Sequence, residues 1–349
     1  MQNVIQRTLS LTLLPLALCG AAYGQAAATP ALAPATAGIV MRTAAATDAD
    51  PFAAGKTAAL ALKAAMGGSE IKAVMLTECF EDKENKEQVL KGVASVIGAD
   101  KIMGGACYGM YTQAGVVTED AVALLGIGGN GVTVTLALEE KMGASGLSLE
   151  KQKDELTAAL QGAGARLAKK LGNQPNQRLL ILMADAHSPK NQLLLDGVQS
   201  VLGKKLPVTG GSVSKNAGQN WLCFNGQLHT DAAAALLVSG DFTLAQTGKQ
   251  AKENDLVIAT AKSGAADAIK ALGKDPFALL AFDCAGRKGK LKNVADELAA
   301  IQTAIPKQTV LFGCYCAGEF GPADTEDVAD KSVSYGRGWH VMFSALGKN

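Results

Sequence analysis

The hydrophobic residues of the chain follow two alternating patterns. Short apolar runs, typical of buried strands, occur at 73–77, 101–105, 179–183 and 206–211. Between them, apolar residues recur every three or four positions, which predicts helices at 51–66, 89–97, 151–171, 192–202, 265–272 and 294–304. Asp50-Pro51 has the residue types of a helix N-cap and first turn. The alternation predicts an α/β or α+β fold.

The strand–helix–strand pattern repeats three times. The first strands read VMLTEC, LLILMAD and LLAFDC, and the second strands read KIMGGACYG, LPVTGGSVS and TVLFGCYCAGEFG. A helix glycine precedes a strand glycine by 12 residues in the first copy (Gly92, Gly104) and by 13 in the second (Gly197, Gly210). Each copy continues into a predicted outer hairpin and a long apolar strand. Because repeats determine architecture, we expect mixed sheets in two domains, with two copies in 39–240 and the third in 241–349.

The first 24 residues have the pattern of a secretory signal peptide. Arg7 supplies the positive charge, and the apolar segment 9–18 is shorter than the ~20 residues that a membrane-spanning helix needs. Ala22-Tyr23-Gly24 is a small-x-small cleavage site. A lipoprotein signal at Cys19 is a weaker alternative, because the preceding Leu18 is bulky. Residues 25–38 are rich in Ala, Pro and Thr, which predicts a linker. We therefore expect a periplasmic or secreted protein.

Composition narrows the function classes. Hydrophobic residues make up 48% of the chain and aromatic residues 5%, so the expected core is aliphatic. The formal charge of +1 offers no basic excess for nucleic acid or for an anionic membrane. The glycine-rich run 126–131 lies between two apolar strands with no following helix, which is the wrong context for a phosphate-binding loop. No metal motif stands out, and we expect neither a metal nor a cofactor.

Signal removal leaves six cysteines. The repeat matches Cys79 with Cys284, and it matches Cys107-Tyr108-Gly109 with Cys314-Tyr315 and Gly318 if one residue is inserted. An oxidising compartment permits disulfides such as Cys79–Cys107, or Cys284 with Cys314 or Cys316. Free buried thiols are the alternative. A nucleophilic cysteine would need a base, for which His187 is the candidate.

The stretches 279–289 and 310–322 contain the most specific motif. Its residues are Cys284, Gly286, Arg287, Gly313, Tyr315, Gly318, Glu319, Gly321 and Pro322. This pattern resembles the C-terminal FIST domain (F-box and intracellular signal transduction), whose motif reads roughly C-x-G-R and then G-x-Y-x-x-G-E-x-G-P. The segment 45–240 resembles the N-terminal FIST domain. The resemblance implies a sensory, small-ligand-binding role, with amino acids as suggested ligands.

The candidate site lies where the predicted strand pairs end, because ligands of α/β sheets bind at that edge. Its predicted residues are Arg287, Glu319, Tyr315, Gly318, Cys284, Cys107 and Tyr108. Arg287 would bind a ligand carboxylate and Glu319 a ligand ammonium group. Alternatively, these two side chains pair with each other and lock the turns together. Tyr315 contacts the ligand or belongs to the core.

Three functions remain open from the sequence. The preferred one is an extracytoplasmic protein that binds an amino-acid-like small molecule. The second is a thiol-based enzyme or redox protein that uses a cluster of Cys107, Cys284, Cys314 and Cys316. The third is an interaction module that presents the outer hairpins to a partner.

Overall fold

Three units with the same order of elements follow one another along the chain. The structure, a computed structural model, describes residues 38–216 and 218–349. The first unit contains β1 (Val40–Thr47), α1 (Pro51–Ala65), β2 (Ile71–Glu78), α2 (Lys83–Ala94), β3 (Ile102–Ala106), β4 (Met110–Thr112), β5 (Gly115–Val117) and β6 (Ala121–Gly128).

The second and third units repeat this order. The second contains β7 (Val132–Glu139), α3 (Lys153–Leu171), β8 (Gln177–Ala184), α4 (Asn191–Leu202), β9 (Val208–Ser212), β10 (Leu222–Phe224), β11 (Gln227–His229) and β12 (Ala233–Gly240). The third contains β13 (Phe242–Gln250), α5 (Asn254–Leu272), β14 (Ala278–Cys284), α6 (Ala285–Lys288), α7 (Val294–Ala304), β15 (Val310–Cys316), β16 (Glu319–Gly321), β17 (Tyr335–Arg337) and β18 (His340–Lys348). The predicted α/β class with repeated units is confirmed.

The strands form three six-stranded mixed sheets. Their orders are β1-β6-β2-β3-β10-β11, β7-β12-β8-β9-β16-β17 and β13-β18-β14-β15-β4-β5. In each sheet, one parallel pair (β2–β3, β8–β9 or β14–β15) is flanked by antiparallel strands. Two parallel strands need a long crossover connection between them, and the helices α2, α4 and α7 provide it in the three units.

The hairpin of each unit completes the sheet of another unit. The β4–β5 hairpin of the first unit pairs with β15, β16–β17 of the third pairs with β9, and β10–β11 of the second pairs with β3. The exchange is therefore cyclic and joins all three units. The predicted boundary between residues 240 and 241 coincides with the end of the second unit, and the division into two domains stays a prediction.

Backbone hydrogen bonds join the units where the exchanged hairpins begin. We call the segments 106–109, 212–215 and 315–318 the central junction. Five inter-unit bonds of 2.8–3.0 Å join these segments to one another: Tyr108 N to Tyr315 O, Tyr315 N to Gly109 O, Ser214 N to Ala106 O, Ala317 N to Ser212 O, and Ser212 N to Gly318 O. The carboxyl ends of the second strands of all three units therefore meet here.

The core has a central part and three outer parts. The inner faces of the three sheets share one apolar cluster, which includes Met75, Ile181 and Phe282. Three further clusters lie between each sheet and its own helices. The central strands β2, β8 and β14 are thus buried on both faces, and this burial explains their continuous apolar runs in the sequence.

The helix glycines of the repeat allow close helix packing. A Cβ on Gly92 would lie 2.3 Å from Phe52 O of α1, and one on Gly197 would lie 2.1 Å from Gln161 O of α3. The N-cap prediction is also confirmed, because Asp50 Oδ1 accepts hydrogen bonds from Phe52 N and Ala53 N. The helix predicted at 265–272 was too short, since α5 begins at Asn254, and β13 was not predicted.

Candidate functional site

The strand ends at the central junction carry the reactive residues of the sequence. Strand pairing gives their correspondence between units: Glu78 pairs with Ala106, and Asp283 pairs with Tyr315. Cys79 therefore corresponds to Cys284, as predicted from the repeat. Cys107 corresponds to Cys316 and not to Cys314, so the inserted residue assumed from the sequence is not needed.

Arg287 is fully buried and bound inside the protein. Its guanidinium donates to Asp283 Oδ1 at 2.8 Å and to Glu297 Oε1 at 2.8 Å. Two further hydrogen bonds reach Thr260 Oγ1 and Val257 O on α5. Burial alone would lower the pKa of Arg287, but the two carboxylates outweigh it and raise that pKa. Arg287 thus ties β14, α5 and α7 together, and its ion pairs are with Asp283 and Glu297 rather than with Glu319.

Tyr315 is also buried, and it holds the exchanged hairpin of the first unit. Its hydroxyl donates to Glu297 Oε2 at 2.9 Å. Its ring meets the Tyr111 ring edge-on, with the ring centroids 5.5 Å apart. A Cβ on Gly313 would lie 2.1 Å from the Tyr111 ring, so glycine leaves room for that ring. These motif residues seat Tyr111 of the β4–β5 hairpin.

Glu319 and Cys284, two of the predicted site residues, lie close together. The Glu319 carboxyl accepts from the backbone N of His340 at 3.2 Å through Oε2, and its Oε1 has no hydrogen-bond partner among the described residues. Both side chains are buried. Burial first, and the charge of Asp283 second, raise the pKa of Glu319 well above its usual range. Burial also lowers the pKa of the neighbouring His340.

The six cysteines described by the structure are free and buried. Cys107, Cys314 and Cys316 share the central core, with the Cys314 and Cys316 sulfur atoms 3.5 Å apart. Burial raises the pKa of Cys79 to about 12 and raises that of Cys107 well above its usual range. Because the thiolate is the reactive form, this environment argues against the thiol-based enzyme.

Tyr108 and Gly318 lie at the accessible side of the central junction. Tyr108 is half-buried, and its hydroxyl lies 3.0 Å from Ser214 Oγ. Gly318 has a φ of +139° and lies against Ser188, because a Cβ there would be 2.9 Å from Ser188 N. The Ser188 N–H donates to Ala317 O at 3.0 Å. Segment 317–318 therefore supports the backbone that follows β8.

A cleft of about 670 Å³ opens on the other side of that backbone. Its walls are the segments 144–146, 148–150 and 185–190, with Leu160, Asn220 and Asp231. The cleft lies at the carboxyl end of β8 and before the start of α4. This is the edge at which ligands of α/β sheets bind, and its volume is within the range of small-molecule sites.

Hydrogen bonds fix several polar walls of the cleft. The Asp185 carboxylate accepts from Asn220 Nδ2 at 2.5 Å and from Asp231 N at 2.7 Å. His187 Nε2 lies 3.1 Å from Val213 O, an acceptor, so the bonded tautomer carries its proton on Nε2. Lys190 Nζ donates one hydrogen to Leu147 O at 2.6 Å. The ammonium group of Lys190 has two further hydrogens to donate.

Sequence reasoning missed most of this cleft. Lys190 follows the strand-end run that begins at Asp185, and this run of polar residues was the available signal. The opposite wall, 144–150, has no regular pattern that relates it to β8.

Family models match most of the described chain. The FIST N domain matches residues 73–262, and the FIST C domain matches residues 232–322. The chain therefore belongs to the FIST family. FIST domains are sensory and signalling domains associated with small-ligand binding. The motif residues Cys284, Arg287 and Glu319 fall within the second match.

Similarity to other known proteins is distant. The crystal structure of cyanuric acid hydrolase from A. caulinodans has 10% sequence identity and a TM-score of 0.45, covering 89% of this chain and all of that one (100%). T. maritima PurL complexed with ATP has 8% sequence identity and a TM-score of 0.24, and the match covers 89% of this chain and 72% of that one. No curated protein matches the sequence. Among the described residues, no helix combines the length and apolarity needed to cross a membrane.

We expect Arg287→Met to destabilise the protein by about 3–5 kcal/mol, because it leaves two buried carboxyl groups without their cation. Denaturant unfolding measures this free energy. Arg337→Met is the matched control, since Arg337 pairs with the exposed Asp327 and such pairs contribute about 1 kcal/mol or less. Equal losses in the two variants would contradict the structural role of Arg287.

We expect the stability difference between Glu319→Gln and the wild type to depend on pH. The folded-state pKa of Glu319 is raised above the unfolded value of about 4.3, so wild-type stability falls as pH rises from there through the raised pKa. Gln does not titrate, so the free energy of unfolding of the variant rises relative to that of the wild type by up to about 1.4 kcal/mol per pH unit. Unfolding at pH values between about 5 and 8 tests this. Glu326→Gln is the control, since Glu326 is exposed. A stability difference between Glu319→Gln and the wild type that does not change with pH would refute the prediction.

Proposed function

We propose that this protein is an extracytoplasmic sensory protein that binds a small, amino-acid-like molecule in the cleft at the end of β8. The observation that supports this proposal most is the cleft of about 670 Å³, which is bordered by Lys190 at the start of α4. Family membership supports this proposal at the coarser level of small-ligand binding.

The side chains that line the cleft suit a molecule that carries both a carboxylate and an ammonium group. Lys190 stands at the start of α4, whose first turn lacks a side-chain cap. Its ammonium group and the positive end of the helix dipole both favour a ligand carboxylate. Glu150 is exposed on the opposite wall and provides a partner for a ligand ammonium group. Asp185, on the same cleft, is held in place by the hydrogen bonds that its two oxygens accept.

The predicted motif residues do not line the cleft but contact the backbone that forms its wall. Gly318 permits the close approach of Ser188, and Asn191 Nδ2 donates to Glu319 O at 3.3 Å. Arg287 and Tyr315 stabilise the strand pair that carries this turn. In this proposal the motif of the third unit builds the wall, and the polar residues of the second unit bind the ligand.

Isothermal titration with the natural amino acids tests the proposal. We expect at least one to bind, and Lys190→Gln to weaken that binding about tenfold or more, as loss of a charge-assisted hydrogen bond of about 1.5–3 kcal/mol implies. Lys204→Gln is the control, since Lys204 is exposed near the other end of α4. Absence of binding throughout the set, or unchanged affinity in Lys190→Gln, would refute the proposed site.

The proposed location rests on residues 1–24, which lie outside the described residues. We expect protein made through its own export route to begin at Gln25, and Ala22→Arg to block that cleavage because the position requires a small residue. Intact-mass measurement distinguishes the outcomes. A chain beginning at a lipid-modified Cys19 would show the lipoprotein alternative, and a full-length wild-type chain would refute export with cleavage.

A further inference from the structure

The cleft at the end of β8 is lined by more acidic than basic side chains. Three carboxylates, those of Glu150, Asp185 and Asp231, border it together with one ammonium group, that of Lys190. His187 adds at most a fraction of a positive charge at neutral pH. Because carboxyl groups are ordinarily ionised at neutral pH, the cleft is negatively charged. A ligand without a net charge would leave this excess uncompensated.

The three carboxylates of the cleft have no cationic side chain as a partner within the described part of the chain. None of the ion pairs found there involves Glu150, Asp185 or Asp231. Each Asp185 oxygen accepts one hydrogen bond from a neutral group, Asn220 Nδ2 or Asp231 N. The Asp231 oxygens likewise accept from the two backbone N–H groups of segment 143–144. Because a carboxylate has about four lone-pair sites, both aspartates retain the capacity to accept from a ligand.

Asp185 and Asp231 lie side by side on one wall of the cleft. Asp231 N donates to Asp185 Oδ2 at 2.7 Å, and both residues are half-buried. Partial burial lowers the local dielectric, so a cation near these carboxylates is attracted more strongly than at an open surface. The fixed backbone contacts of Asp231 hold this pair in place before any ligand arrives.

The other two units show what the second unit lacks. Each unit has an acidic residue at or next to the end of β2, β8 or β14, namely Glu78, Asp185 and Asp283. In the first and third units the chain itself supplies the cation: Lys86 Nζ lies 3.0 Å from Glu78 Oε1, and Arg287 Nε lies 2.8 Å from Asp283 Oδ1. In the second unit the cleft opens at this place instead. A ligand cation at Asp185 would therefore supply the charge that the other units provide from within.

We propose that the ligand of the β8 cleft is a basic amino acid, a molecule with one carboxylate and two cationic groups. This inference rests on the proposed function and narrows its ligand class. Lys190 binds the carboxylate and Glu150 the α-ammonium group, while Asp185 and Asp231 bind the cation at the end of the ligand side chain. The net positive charge of such a ligand offsets part of the negative charge of the cleft.

Isothermal titration with free lysine, norleucine and glutamate tests this assignment. Norleucine has the carboxylate, the α-ammonium group and the aliphatic side chain of lysine, but it lacks the side-chain cation. We expect lysine to bind about tenfold or more tightly than norleucine, as one additional charge-assisted hydrogen bond implies. Glutamate is expected to bind more weakly than norleucine, because its second carboxylate has the same sign as the cleft. Added sodium chloride is expected to weaken lysine binding more than norleucine binding, since salt screens charge attraction.

The ligand comparison separates this inference from the proposed function. Norleucine binding as tightly as lysine would overturn the basic-ligand class and leave the amino-acid site standing. Absence of binding by every natural amino acid would refute the proposed function, and this inference with it.

A charge-removing variant tests the assigned wall. Asp185→Asn, checked for an unchanged circular dichroism spectrum, is expected to remove most of the advantage of lysine over norleucine. Asp154→Asn is the matched control, since Asp154 is exposed on α3 and does not line the cleft. An undiminished lysine advantage in Asp185→Asn would overturn the role assigned to Asp185. If this variant does not keep the wild-type spectrum, the ligand comparison in the wild-type protein decides.

Discussion

The cyclic exchange of hairpins is the constraint on which the rest of the structure depends. No unit completes its own sheet, because each parallel pair receives its last two strands from another unit. The five backbone hydrogen bonds that join the segments of the central junction fix where these hairpins start. Because backbone donors and acceptors buried at a junction must be paired, the three strand ends are held in one arrangement. That arrangement positions the thiols of Cys107 and Cys316 in the central core.

The family motif acts mainly through this framework. Arg287 neutralises two buried carboxylates, Tyr315 and Gly313 seat the Tyr111 ring, and Gly318 makes room for the turn after β8. Burying such charges is tolerable only when each has a partner of good geometry. The polar groups of the cleft belong instead to residues outside the motif, such as Lys190. In the proposed function, family identity and ligand recognition therefore reside in different residues.

Much of the fold was predictable because its periodic features are local. The spacing of Gly92 and Gly104 recurs in the second unit. In both units the first glycine lets the crossover helix pack closely on the helix before it, and the second glycine lies in the strand that follows the crossover. The exchanged hairpins were not predictable, since strands of three residues such as β4 do not encode which sheet they join. A structural ion pair was one of the two roles predicted for Arg287, but its partner was wrong: the partners are Asp283 and Glu297, which burial brings to it, rather than Glu319. The cleft needed the irregular segment 144–150, which has no pattern to relate it to β8.

The exchanged hairpins also govern how the chain reaches its native state. The first unit cannot complete its sheet until β10–β11 exists, and the second cannot until β16–β17, near the end of the chain, has been made. The third in turn needs β4–β5, synthesised some 200 residues earlier. Native pairing therefore spans nearly the whole described sequence, and contacts of such long range slow folding. A growing chain therefore leaves the β3 edge of its first sheet unpaired until β10–β11 emerges, and during synthesis it depends on remaining unaggregated until then.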